Sequence, residues 1–203
     1  MRAKSSSSPS SSSSFIRPDF GIPARKYFAD HGEHARVLLL DDLEWHYKDD
    51  RQAVFDRYCQ VFDTLLTAEQ RHRAAVFFFV MMLEAYYFAD PETLCAVLQL
   101  DKIPEHLRDI DVETAIRHPK NELKGVMRAR GRSFDEKADG LRVIEQLVVE
   151  RALAHPERCA SLRTLFRWCA DALDLPADVR SRLLDGALCP VTGSQLRNYT
   201  VSD

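Results

Sequence analysis

Between Arg73 and Asp90 the chain reads AAVFFFVMMLEAYYFA, and Glu84 is the only charged residue in the run. A surface helix would show a polar residue about once per turn on its far side, and none appears before Glu84, so protein must cover every face. The pattern predicts a central hydrophobic helix over residues 74–89. As a bilayer span it is short, since about sixteen residues give roughly 24 Å of helix against a hydrocarbon core of about 30 Å. Glu84 adds a further insertion cost.

The flanking segments also read as helical. Val54, Phe55, Tyr58, Phe62, Leu65 and Leu66 recur at spacings of three and four, with Asp49 or Asp50 available as a cap. Thr67 and Gln70 have the spacing of a capping box, which starts the central helix near Ala68. Asp90 followed by Pro91 stops it and opens the next helix. Asp111 can cap a short helix, while residues 119–132 read as irregular, with Gly125 and Gly131. Further helices are predicted from Ser133 or Asp135 to about His155, from Ser161, and from Pro176 to about Leu188. The fold class is all-α, a single-domain helical bundle of about six to eight helices around the central helix. Residues 1–16 form a disordered Ser-rich tail, 17–188 the globular domain and 189–203 a loose tail.

Composition agrees with an ordinary globular domain: 203 residues, 45% hydrophobic, 29% charged and only seven glycines. A net charge of −3 makes nucleic acid an unlikely partner. The odd set of five cysteines has no C-x-x-C pair, which fits a reducing, cytoplasmic setting. The start, MRAKSSSSPSSSSSF, has no apolar core for an ordinary signal peptide. It is similar to the uncleaved leaders of bacterial type III secreted effectors, which implies secretion by a non-Sec route.

Within residues 36–47, RVLLLDDLEWHY, a short apolar run ends in two aspartates. It resembles the first strand and acidic pocket of a response-regulator receiver domain over about seven residues. A receiver also needs a phosphoacceptor aspartate ending a later strand. The next apolar run ends in Glu84 inside a helical pattern, so residues 36–47 are expected to form a helix or an extended arm.

Several groups are candidates for chemistry. Glu69 and His72 have the helical spacing of a di-iron ligand pair, but the other ligands of such a site are missing. Asp30, His31, Glu33, His34, Asp41, Asp42, Glu44 and His46 form an acidic stretch with donors for a divalent ion, in no known cage spacing. Glu84, alone among apolar neighbours, needs a basic partner, a proton or a cavity. Arg117, Lys120, Lys124, Arg128, Arg130 and Arg132 surround a single acid, Glu122, and make the best binding stretch, suited to phosphate or an acidic protein surface, though no Gly-rich loop of phosphate-cradling spacing is present. Arg163, Arg167, Arg180 and Arg182 lie on two helices of helix-turn-helix proportions, with acids interleaved. No triad order, Walker loop or dinucleotide fingerprint is present.

The expected function is that of a non-enzymatic bacterial protein-interaction protein of toxin-neutralising, adaptor or secreted-effector type. No cofactor or metal is expected, and catalytic residues are not assigned. The alternative is a helical enzyme or a small-ligand or metal-binding protein using Glu84 or the acidic stretch 30–46.

Overall fold

Among residues 20–189, which a computed structural model of the protein describes, helices predominate as the periodicity predicts. They surround a feature that an all-α reading lacks, a parallel sheet of two strands. The elements in order are α1 (Gly21–His31), β1 (Val37–Leu43), α2 (Arg51–Leu65), α3 (Ala68–Arg71), β2 (Ala74–Val80) and α4 (Pro91–Leu98). They continue with α5 (Val112–Ala115), α6 (Pro119–Arg128), α7 (Ala138–Gln146), α8 (Val149–Ala152), α9 (Ala160–Ala172) and α10 (Ala177–Leu184). Both expected tails, residues 1–16 and the chain beyond Cys189, lie outside the described residues.

The expected central helix is the main correction. Its first half is strand β2 and its second half a 3₁₀ helix, Leu83–Ala89. A continuous apolar run is also the signature of a strand buried on both faces in a parallel sheet. The VFFFV core of the run has the β-branched and aromatic content that such a strand favours. The capping box is present at Thr67 and Gln70, but the helix it starts lasts four residues. Met81 and Met82 then break the run, with φ of 64° and 77°.

Residues 37–43, expected as helix or arm, form β1 and pair in parallel with β2 from Val37 opposite Ala74 to Leu43 opposite Val80. A parallel pair needs a crossover connection, and α2 with α3 supplies it. The helices cover both faces at β2: Phe55 and Tyr58 of α2 meet the Phe78 ring on one side, and Trp168 of α9 meets Phe77 on the other. Buried apolar residues form one contiguous core from Ala24 to Trp168.

Other boundaries moved as well. Residues 119–128, expected to be irregular, form α6, with Pro119 in its first turn and Leu123 and Met127 buried. The expected helix from residue 133 to 155 is two, α7 and α8, separated by an extended Leu147 and Val148. No helix among the described residues is long and apolar enough to cross a membrane.

Two buried acids tie the elements together. Asp90, fully buried, caps α4 by accepting the Thr93 N–H at 3.2 Å, and it accepts the Val148 N–H at 3.0 Å and the Arg151 Nε at 2.8 Å. Glu113 accepts the Ser161 and Leu162 N–H groups at the start of α9 and the Tyr86 hydroxyl at 2.8 Å. Burial pushes the Glu113 carboxyl above its ordinary range against those donors. Arg163, with no exposed surface, donates to the carbonyls of Leu153, His155, Arg158 and Ala187.

Candidate functional site

In open α/β sheets, ligands bind beyond the carboxyl ends of the strands. Here both strands end in chemistry. β1 finishes with Asp41, Asp42 and Leu43, and β2 runs through the two left-handed methionines into Leu83 and Glu84. Non-glycine residues at positive φ cost of order 1 kcal/mol or more each and cluster at functional sites. The turn they make brings the Leu83 N–H to Asp42 Oδ1 at 2.9 Å, so Glu84 follows directly on a backbone group bound to β1.

Glu84 has a partner, as a buried carboxylate requires. Its side chain is 13% exposed, and Lys120 of α6 approaches Oε1 at 3.3 Å. Its other oxygen, Oε2, is buried with no hydrogen-bond partner among the described residues. Lys120 also pairs with Glu136 at 3.2 Å, and Lys124 meets the same carboxylate.

The electrostatics join Asp42 to this group. Burial raises the Asp42 carboxyl above its usual range; the Leu83 N–H opposes this, and the Glu84 and Asp41 charges push it further up. Burial opposes the Lys120 charge, yet Glu136 and Glu84 together hold its pKa above the ordinary lysine value. Tyr87 is pushed up to about 12 by burial and then by Glu84, Asp42 and Glu136. Asp41 is committed locally: Oδ2 accepts the Tyr58 hydroxyl at 2.6 Å and Oδ1 the Asp42 N–H at 2.8 Å.

Beside these carboxylates lies a cleft of about 310 Å³. Residues 44–46 after β1, Met82, and residues 117–121 at the start of α6 line it. This volume is at the lower end of the range for small-molecule sites, about 300–1,000 Å³. Its lining includes Arg117, His118, His46 and Lys120, and α6 begins there with no side-chain cap. An uncapped helix start directs N–H groups and positive potential outward. Arg117 is held over the Trp45 ring at 5.3 Å. Glu44 is the carboxylate in this lining, and Lys120 joins the cleft to Glu84.

The chain matches no protein-family model, no curated protein and no solved structure.

The residues singled out in the sequence are thus redistributed. Glu84 and Lys120, assigned there to separate features, form one ion pair, and the acidic stretch contributes Asp42 to it. The rest of the basic set spreads out: Arg130 pairs with Asp101, Arg132 donates to the Leu98 carbonyl at 2.9 Å, and Arg128 is exposed at the end of α6. Glu69 pairs with Arg73 at 3.4 Å. No group of three or more His, Cys, Asp or Glu capable of holding a metal occurs among the described residues. Of the helix-turn-helix arginines, Arg163 is internal and Arg180 pairs with Asp171 at 3.1 Å. Sequence reasoning missed Met81 and Met82; Asp111, expected there as a helix cap, caps α5 through the Glu113 N–H and also accepts the Cys159 N–H at 3.1 Å.

Proposed function

We propose that the protein binds a phosphorylated small molecule as its complex with a divalent cation, at the carboxyl ends of β1 and β2. Asp42 and Glu84 hold the cation, and Lys120, Arg117 and the start of α6 hold the phosphate. The observation that carries this reading is the buried, unpartnered Oε2 of Glu84, whose charge acts on Asp42 and whose partner Lys120 lines a cleft with Arg117, His118 and His46. Magnesium commonly takes only one or two protein carboxylates and completes its shell with water and substrate phosphates, so a two-carboxylate site suits it. A cation also offsets the burial, and after it the Glu84 and Asp41 charges, that keep the Asp42 carboxyl raised.

This is the small-ligand reading of the sequence rather than the protein-interaction one. The contact surface expected for the interaction reading was a basic irregular segment over residues 117–132, and Pro119–Arg128 of it form helix α6.

Isothermal titration tests the reading with Mg²⁺ alone, pyrophosphate alone, and both together. Binding is expected for the mixture, weaker or absent for pyrophosphate alone, and lost in Glu84→Gln. Equal binding of pyrophosphate with and without Mg²⁺, equal binding by Glu84→Gln, or no heat from any mixture refutes it.

A further inference from the structure

β1 has β2 on one side only, and no described strand lies against its other edge. The Val37 N–H donates to the Arg73 carbonyl at 3.0 Å and the Leu43 carbonyl accepts the Met81 N–H at 2.9 Å, so odd-numbered residues make the ladder to β2. Alternate residues of a strand direct their N–H and C=O groups to opposite sides, so those of Leu38, Leu40 and Asp42 point outward. The Asp42 N–H is already satisfied by the Asp41 side chain. Leu38 and Leu40 are left presenting the edge.

This edge is apolar and poorly covered. Leu38 is 37% exposed, and Val37, Leu39 and Leu40 are half-buried. Exposed edge strands are normally blunted by lysine, proline or shortness, and this seven-residue strand contains neither residue. Its flanking charges are of opposite sign, Arg36 before the apolar run and Asp41 and Asp42 after it.

Such a strand complements itself when antiparallel. We propose that β1 pairs antiparallel with β1 of a second copy of this chain, about a two-fold axis at Leu39. Leu38 then stands opposite the partner's Leu40, and the two exchange both backbone hydrogen bonds, as do Leu40 and the partner's Leu38. Arg36 comes beside the partner's Asp42 on the same face. Parallel pairing would place like charges side by side, and a slip of one residue would face outward groups with inward ones. A two-fold pairing also uses the β1 edges of both copies at once, so no β1 edge is left to recruit a third copy. A single short strand buries less than a standard interface, so the dimer forms and dissociates with concentration. The inference shares Asp42 with the ligand reading but rests on the outward backbone groups of Leu38 and Leu40 and not on the cleft.

Sedimentation equilibrium of the full chain, 23.3 kDa, over about 1 to 200 µM covers the affinity class of weak interfaces. The mass is expected to rise towards twice that of the chain, and amide exchange at Leu38 and Leu40 to slow as concentration rises. Leu38→Lys, which sets a charge beside the partner's Leu40, and Arg36→Glu, which sets like charges together, should each raise the dissociation constant about tenfold with circular dichroism unchanged. If Leu38→Lys fails to fold, Arg36→Glu and the exchange rates still decide. A monomer throughout the range overturns the proposal, as does a dimer in which the two amides exchange at one rate at every concentration.

Discussion

Replacing Lys120 by Met removes the ammonium 3.3 Å from Glu84 and keeps most of the apolar stem. Glu84 then retains a buried charge with one oxygen already unpartnered. Removing one member of a fully buried pair costs about 3–5 kcal/mol. Lys120 is 34% exposed and Glu84 13%, so solvent screens part of the interaction and the expected loss is about 1–3 kcal/mol. The control, Glu84→Gln, leaves Lys120 its Glu136 partner and costs less. A cation held by Asp42 and Glu84 would replace the missing ammonium, restoring about 2.7 kcal/mol at a concentration 100 times its dissociation constant. The assay is urea unfolding followed by far-ultraviolet circular dichroism at neutral pH, in EDTA and in MnCl₂. Lys120→Met should be destabilised in EDTA and recover in Mn²⁺, while the Lys120→Met, Glu84→Gln double variant should not respond to the metal. A Lys120→Met protein as stable as wild type in EDTA would show that the pair has no energetic weight. Equal recovery of the double variant would remove the cation from Glu84.

Three other outcomes are expected. Asp42→Asn should stabilise the metal-free protein at neutral pH: the folded carboxyl is raised, so the stability it contributes is full below about pH 4 and is lost as pH rises through its folded pKa. Thermal melts across pH should show the variant's advantage vanish in acid. Asp90→Ala should cost about 2–4 kcal/mol in urea unfolding, from a lost helix cap and an unpaired Val148 N–H. Burial works against the Asp90 charge, but Arg151, Val148 and Thr93 hold its carboxyl below the usual range, so its contribution is present above about pH 4 and fades as pH falls through the folded value. Tyr86→Phe should cost about 1–3 kcal/mol in the same assay, because the buried hydroxyl donates to Glu113 and accepts the Val80 N–H at 3.2 Å.

What the sequence revealed was local. The Thr67 and Gln70 box, the Asp90 cap with its following proline, and the Asp111 cap are carried by residues within three positions of one another, and each is present in the structure. The apolar run could not be read alone, because burial on all sides suits a central helix and an inner parallel strand equally, and only the partner strand decides. That partner is β1, thirty-seven positions earlier at equivalent residues, Val37 opposite Ala74. The VLLLDD run, expected as a helix or an extended arm, is an extended strand ending in acids, and the second strand ends in methionines rather than the aspartate a receiver needs.

The same distance hid the site. Asp42 belongs to one apolar run, Glu84 to the next and Lys120 to a helix that the sequence left irregular, so no spacing within any one segment marks them as a group. The backbone of Met81 and Met82 unites the first two, since a non-glycine pair at positive φ has no signature in residue type. Had β2 continued as helix, Glu84 would lie about 15 Å of helix axis beyond Ala74, with nothing to bring its neighbour's N–H onto Asp42. The turn at Met81 and Met82 therefore makes the acidic pair, and a residue that resists its conformation should loosen that pair. A Met82→Gly variant admits φ of 77° at no steric cost. If the strain is offset by the Leu83 to Asp42 bond, this variant should be at least as stable as wild type and keep its cation response, whereas Met82→Val, which resists that conformation, should lose both. Equal behaviour of the two variants in the Mn²⁺ unfolding assay would mean that the turn does not control the site.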